Sequence, residues 1–162
     1  MYAGQGRRYL DNQYQEDKKM IYIRTPPELW EEYKNEFNFT LDACASDKNH
    51  LCEKYYTKET DGLKQDWTGE VVWVHPMYDL YLPKWVEKCS KERCVSVLLI
   101  PASTHTKYFH DFIYNKPNVE VRFLRNPRKD GKSGWYMATD EGEYSTSVGY
   151  IRPLMIVIFR NV

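Results

Sequence analysis

The sequence predicts an α/β fold, with a compact and mostly parallel sheet whose last strand runs antiparallel. Three observations carry this reading. Val71–Val74, Val95–Ile100 and Leu154–Phe159 are short, unbroken apolar runs, the pattern of strands buried on both faces. Segments of helical spacing alternate with the first two runs, as parallel strands joined by crossovers require. The last two extended segments are joined by a long connection without a helical pattern, so the final strand returns antiparallel.

The elements follow in order. Residues 1–20 are polar, with Tyr2, Tyr9 and Tyr14 interspersed, and read as a flexible arm that either frays or orders on a partner. The domain proper spans 21–162 and opens with the short extended stretch Ile21–Arg24. In Thr25-Pro26-Pro27-Glu28, Thr25 suits an N-cap, Pro26 the first helical position and Glu28 the capping box. Leu29, Trp30, Tyr33 and Phe37 continue one apolar face over 27–37. Phe39–Cys44 reads as a strand entering a turn, and 45–66 as irregular chain. Thr68-Gly69 in front and Pro76 behind bound the strand Val71–Val74. A helix follows from Leu82 to about Lys91, with Leu82, Trp85, Val86 and Cys89 on one face. After the strand Val95–Ile100, His105–Tyr114 is helical and Val119–Leu124 is extended. Residues 125–152 form a polar, aromatic-bearing insertion before the last strand.

Composition narrows the function classes. The chain has 162 residues, one domain's worth. Lys plus Arg (23) balance Asp plus Glu (23), which argues against a binder that relies on net positive charge but allows a local basic patch. Aromatics make up 15%, with 14 Tyr, which excludes wholesale disorder and suits flat contacts such as base stacking. No apolar run is long enough to span a bilayer, and the N-terminus has no secretory core. Cys44, Cys52, Cys89 and Cys94 form no CxxC pair, so no metal is expected and the thiols read as those of a reduced, cytoplasmic protein.

Ligands of such sheets bind at the carboxyl ends of the strands, which directs attention to three segments. They are Asp42-Ala43-Cys44-Ala45-Ser46, then Asp66-Trp67 ahead of His75-Pro76-Met77-Tyr78, then Pro101–Thr106. Each residue has a plain structural alternative: Thr25 as a helix cap, Asp42 as a turn former, Asp66-Trp67 as a turn beside a core indole. His105 and His110 stand five apart, off the spacing that helical zinc ligands use. Ser103 lacks the glycines of a nucleophile elbow.

Thr-Pro-Pro-Glu-Leu-Trp (25–30), Glu-Phe-Asn-Phe-Thr-Leu-Asp-Ala-Cys-Ala-Ser (36–46), Asp61-Gly62-Leu63 with Asp66-Trp67, Trp73-x-x-Pro76-x-Tyr78, Leu99–His110 and Val121–Arg125 occur in that order. Together they resemble the phage-type DNA N6-adenine methyltransferases, the Dam family. The resemblance implies a Rossmann-like fold dependent on S-adenosylmethionine (SAM), and methyl transfer to the exocyclic amine of an adenine flipped out of DNA. It implies that Thr25, Pro26, Asp42, Ala43, Cys44, Asp66 and Trp67 bind the cofactor, with Asp42 accepting from its amino group and Asp66-Trp67 at its adenine. The family's loop is Asn/Asp-Pro-Pro-Tyr, in which the first side chain and the first proline carbonyl accept from the target amine and the tyrosine stacks on the base. By this resemblance His75, Pro76 and Tyr78 are the catalytic set.

The loop departs from the pattern at His75 and Met77. A neutral imidazole offers one acceptor nitrogen and a protonated one offers none. Two functions therefore stand side by side: an adenine methyltransferase, and a catalytically inactive relative that binds DNA, SAM or a partner subunit. Arg122, Arg125, Arg128, Lys129 and Lys132 gather at the start of the insertion, where a basic, aromatic-bearing loop would contact DNA. A homo-oligomer or partner subunit is compatible with the sequence; a membrane is not expected.

Overall fold

A computed structural model of the chain describes residues 24–125 and 152–162. The arm and most of the expected insertion, with Arg128, Lys129 and Lys132, lie outside the described residues. The order of elements is α1 (Pro27–Phe37), β1 (Leu41–Asp42), β2 (Lys54–Tyr55), a 3-10 turn (Gly62–Lys64), β3 (Val71–Val74), α2 (Leu82–Lys91), β4 (Val95–Pro101), a π-helical turn (Phe109–Ile113), β5 (Val119–Phe123) and β6 (Leu154–Arg160). The strands form one six-stranded sheet in the order β2-β1-β3-β4-β6-β5. β2, β1, β3 and β4 pair in parallel. β6 runs antiparallel to both of its neighbours, inserted between β4 and β5.

The unbroken apolar runs are explained by helices on both faces. Trp73, Val97, Leu99, Leu154, Ile156 and Ile158 bury one face of the strands against Leu29, Trp30 and Tyr33 of α1. The alternate residues Val72, Val74, Leu98, Ile100, Met155, Val157 and Phe159 pack on Leu82, Val86 and Cys89 of α2 and on Phe109 and Ile113 of the π-helical turn. The central strands β3, β4 and β6 thus have a core on either face. β4 and β6 pair over their full lengths, from Val95↔Arg160 to Pro101↔Leu154.

Three expectations change. Pro26, not Thr25, is the residue at the N-cap of α1, and no side chain caps that helix; the Thr25 hydroxyl is engaged elsewhere. The stretch expected to be irregular contains β2, whose two residues pair with Leu41 and Asp42. The segment expected as the helix His105–Tyr114 closes as a π-helical turn, with Tyr114 N–H donating to the Phe109 carbonyl at 2.7 Å. At the other end of α1, Asn38 supplies the left-handed cap (φ 50°) and donates to the Lys34 carbonyl.

From β1 the chain leaves to β2 on one side, and from β3 it leaves to β4 on the other. The carboxyl ends of β1 and β3 therefore flank the point where the winding reverses, the place where open α/β sheets leave a crevice.

Candidate functional site

Asp42 ends β1 and His75 follows β3, so both reach that crevice. A cleft there is lined by Arg24, Thr25, Asp42, Cys44, Asn49, Leu51, Trp73 and His75. It has about 30 Å³ of room, enough for an ammonium group or a water or two but not for a nucleoside.

Asp42 is 4% exposed. Its Oδ1 accepts from Cys44 N–H at 3.2 Å and its Oδ2 from Leu51 N–H at 3.0 Å. Burial nevertheless outweighs these bonds and holds the carboxyl above its ordinary value. Each oxygen retains acceptor capacity, so the group is a desolvated carboxylate on the wall of a cleft. The Cys44 thiol is pushed well up, chiefly by burial and then by the charge of Asp42, which keeps it protonated and unreactive. Ala43 N–H donates to the Trp73 carbonyl at 3.0 Å, tying the turn after β1 to β3. Gly62 packs on the same turn: a Cβ there would lie 2.3 Å from the Ala43 oxygen and 3.1 Å from Trp85. Only glycine lets the Asp61-Gly62-Leu63 segment approach so closely.

On the opposite wall the hydroxyl of Thr25 meets His75 Nδ1 at 2.9 Å and accepts from the Trp73 indole N–H at 3.3 Å. His75 Nε2 lies 3.0 Å from the Tyr78 hydroxyl, which donates to the Leu99 carbonyl at 3.2 Å. Burial drives the imidazole pKa down to about 4, so the ring is neutral at physiological pH. Tyr78 is half-buried, its ring centroid 5.6 Å from that of His75. Beyond it the loop exposes Met77, Leu80 and Tyr81.

The structure brings Thr25, Asp42, Cys44 and His75 to one cleft, with Pro76 and Tyr78 directly behind. Pro26 is buried at the start of α1 and Ala43 beneath the turn. Asp66 and Trp67 do not join the cluster. Asp66 is exposed and accepts from Thr68 N–H at 2.8 Å; the Thr68 hydroxyl first, and then that N–H, hold its carboxyl below the usual range. Trp67 is fully buried, donates through Nε1 to the Gly62 carbonyl at 3.1 Å, stacks on Trp85 and has the Lys88 ammonium 4.7 Å from its ring centroid. Arg122 stands at the opposite edge of the sheet, paired with Glu36 at 2.6 Å and Glu120 at 2.5 Å and set over the Tyr33 ring. Arg125 is exposed at the end of the described segment. Sequence reasoning does not single out Arg24, Asn49 or Leu51. A cation immediately before Thr25-Pro26 is the one signal that could have flagged Arg24. No group of three or more His, Cys, Asp or Glu able to hold a metal occurs among the described residues, and none of their helices is long and apolar enough to cross a membrane.

A six-stranded, mostly parallel sheet with helices on both faces and a polar cleft at its winding reversal defines a mixed α/β protein consistent with a methyltransferase-like fold. Sequence comparison makes the assignment specific. The family model described as DNA N-6-adenine-methyltransferase (Dam) matches residues 12–162, and the chain belongs to that family. A "DNA N-6-adenine-methyltransferase" of Escherichia phage T1 is 30% identical over 119 residues, covering 70% of this chain and 49% of that protein. Another of the same name, from Haemophilus phage HP1 (strain HP1c1), is 27% identical over 132 residues, covering 80% of this chain and 70% of that protein. The chain thus matches about half the length of the phage T1 relative.

Proposed function

We propose that this chain is a SAM-dependent methyltransferase acting on the N6 amine of adenine in DNA, in the cytoplasm of a bacterial host. Its family supports the reaction class, and the strand order with an inserted antiparallel β6 supports a Rossmann-like reading of the fold. The observation that carries the reading is the meeting of Asp42, Thr25 and His75 at one cleft, immediately ahead of Pro76.

The residues present fit the charged end of SAM. The desolvated Asp42 carboxylate offers an ammonium the counter-charge it lacks, and Arg24 on the same cleft can face a carboxylate. Thr25, Pro26, Ala43 and Cys44 line or support that end. SAM supplies an electrophilic methyl on its sulfonium. The chain supplies position: the Pro76 carbonyl accepts from the target amine, and Tyr78 offers its ring to the flipped base. No described backbone hydrogen bond ends on the Pro76 carbonyl, which leaves it able to accept. Arg125, with the basic residues after it, is the candidate for phosphate contact, and DNA is the macromolecular partner.

A second reading, a non-catalytic binder of DNA, SAM or another subunit, draws on one observation. Both ring nitrogens of His75 are already engaged, so the loop presents no free side-chain acceptor. Losing one preorganised polar group costs such reactions on the order of 10²–10³ in rate. Incubation with tritiated SAM and unmethylated bacterial DNA separates the readings. The proposal expects label in N6-methyladenine, reduced about 5- to 150-fold by Tyr78→Ala, because base–aromatic stacking contributes about 1–3 kcal/mol. Binding of S-adenosylhomocysteine without any transfer would establish the second reading instead.

A further inference from the structure

We infer that His75 is a positioning residue for Tyr78 and not an acceptor for the target amine, fixing the tyrosine ring from the wall of the cleft through a one-way chain of hydrogen bonds. The inference rests on the proposed role of Tyr78 at the flipped base, and the direction of the chain follows from its two ends. The Trp73 indole N–H can only donate, so the Thr25 oxygen accepts from it at 3.3 Å. That leaves the Thr25 hydroxyl proton available to His75 Nδ1, 2.9 Å away. At the far end the Leu99 carbonyl can only accept, so the Tyr78 hydroxyl donates to it at 3.2 Å. The Tyr78 oxygen then accepts from His75 Nε2–H at 3.0 Å. The Tyr78 end demands the tautomer with the proton on Nε2, which leaves Nδ1 bare, and the Thr25 end is compatible with it because its hydroxyl proton is not used by Trp73.

Two consequences follow. The one lone pair of the imidazole is committed to Thr25, and its one N–H is committed to Tyr78. A base amine arriving at the loop therefore finds no free acceptor on the imidazole and meets the Pro76 carbonyl instead. The Tyr78 hydroxyl, held by two bonds, cannot swing without breaking both. A tyrosine that served by stacking alone would need only its ring. Here the hydroxyl is what anchors that ring to β4. Because Thr25 and His75 also line the cleft, the anchor begins where the cofactor's charged end is proposed to sit.

Tyr78→Phe keeps the ring and removes the anchor. In full-length protein labelled with ¹⁵N-histidine, His75 is assigned by the signal lost in His75→Leu. It should show the Nε2–H tautomer alone, and Tyr78→Phe should shift its Nε2 signal and speed that proton's exchange with water. An Nδ1–H tautomer overturns the inference whatever the activity. In methyl-transfer assays Tyr78→Phe should lower kcat about 10-fold with little change in KM for SAM. In the His75→Leu background it should cost clearly less than in the wild type, since only the bond to the Leu99 carbonyl is left to lose. Multiplicative losses would mean that His75 meets the substrate directly and would overturn the inference while leaving the proposed function intact. If the wild type neither binds S-adenosylhomocysteine nor transfers methyl, the proposed function fails. The tautomer, and the same double-mutant cycle read from urea midpoints, still decide the hydrogen-bond chain.

Discussion

Asp42 and Asp66 make an instructive pair. Both are aspartates beside a buried tryptophan, and the family resemblance gives both to the same cofactor. The fold treats them oppositely. Asp42 is taken out of water at the end of β1, and the two backbone N–H groups it accepts from do not offset its desolvation. Asp66 closes its own turn on Thr68 in open solvent, and its charge is settled locally. On the proposed reading, the carboxylate left under-compensated inside a cleft is the better counter-charge for a bound cation, whereas the exposed one is already solvated and held by its own turn.

Substitutions can break or sharpen this contrast. The largest effect is structural and belongs to the Asp66 side. Trp67→Ala removes a fully buried indole, its hydrogen bond to Gly62 and its stack on Trp85, and should cost about 3–5 kcal/mol in urea unfolding. Next comes acid. His75 titrates near 4 when folded and near 6.5 when unfolded. Between those values the unfolded chain binds a proton that the folded state refuses, so stability rises with pH across this window and falls by up to about 3 kcal/mol as pH drops through it. His75→Leu should flatten that limb. Asp42, with its carboxyl held above the ordinary value, acts with the opposite sign just above the usual carboxylate range, so the net slope there is shallower than for His75 alone. Smaller still, Asp66→Ala should lower the urea midpoint only slightly for the lost turn bond and leave binding of S-adenosylhomocysteine within about twofold.

Much of the sheet was legible because burial on both faces leaves an unmistakable run. Val71–Val74 matches its expected bounds, Val95–Ile100 and Leu154–Phe159 each extend by one residue, and α2 begins at Leu82 as its apolar stripe requires. β2 was not legible: two residues carry no period, and Lys54–Tyr55 are extended because their backbone pairs with Leu41–Asp42. The π-helical turn was hidden because its apolar spacing fits an α-helix equally well. Within the candidate site, Asp42 stood out by its position after a strand, and His75-Pro76-Met77-Tyr78 by its resemblance. What Thr25 does could not be read locally. Its partner His75 lies fifty residues away in sequence, and a threonine before two prolines looks like a helix cap until the fold supplies a better acceptor. Arg24 and Asn49 reach the cleft by tertiary placement alone.

Calorimetric titration with S-adenosylhomocysteine, run on the wild type, Asp42→Asn and Asp66→Asn, tests the account at its root. The wild type should bind. Asp42→Asn should weaken binding about 10–100-fold, the worth of a charge-assisted contact in a desolvated cleft, while Asp66→Asn should bind like the wild type. Absence of heat with the wild type, or a loss at Asp66 equal to that at Asp42, would contradict it.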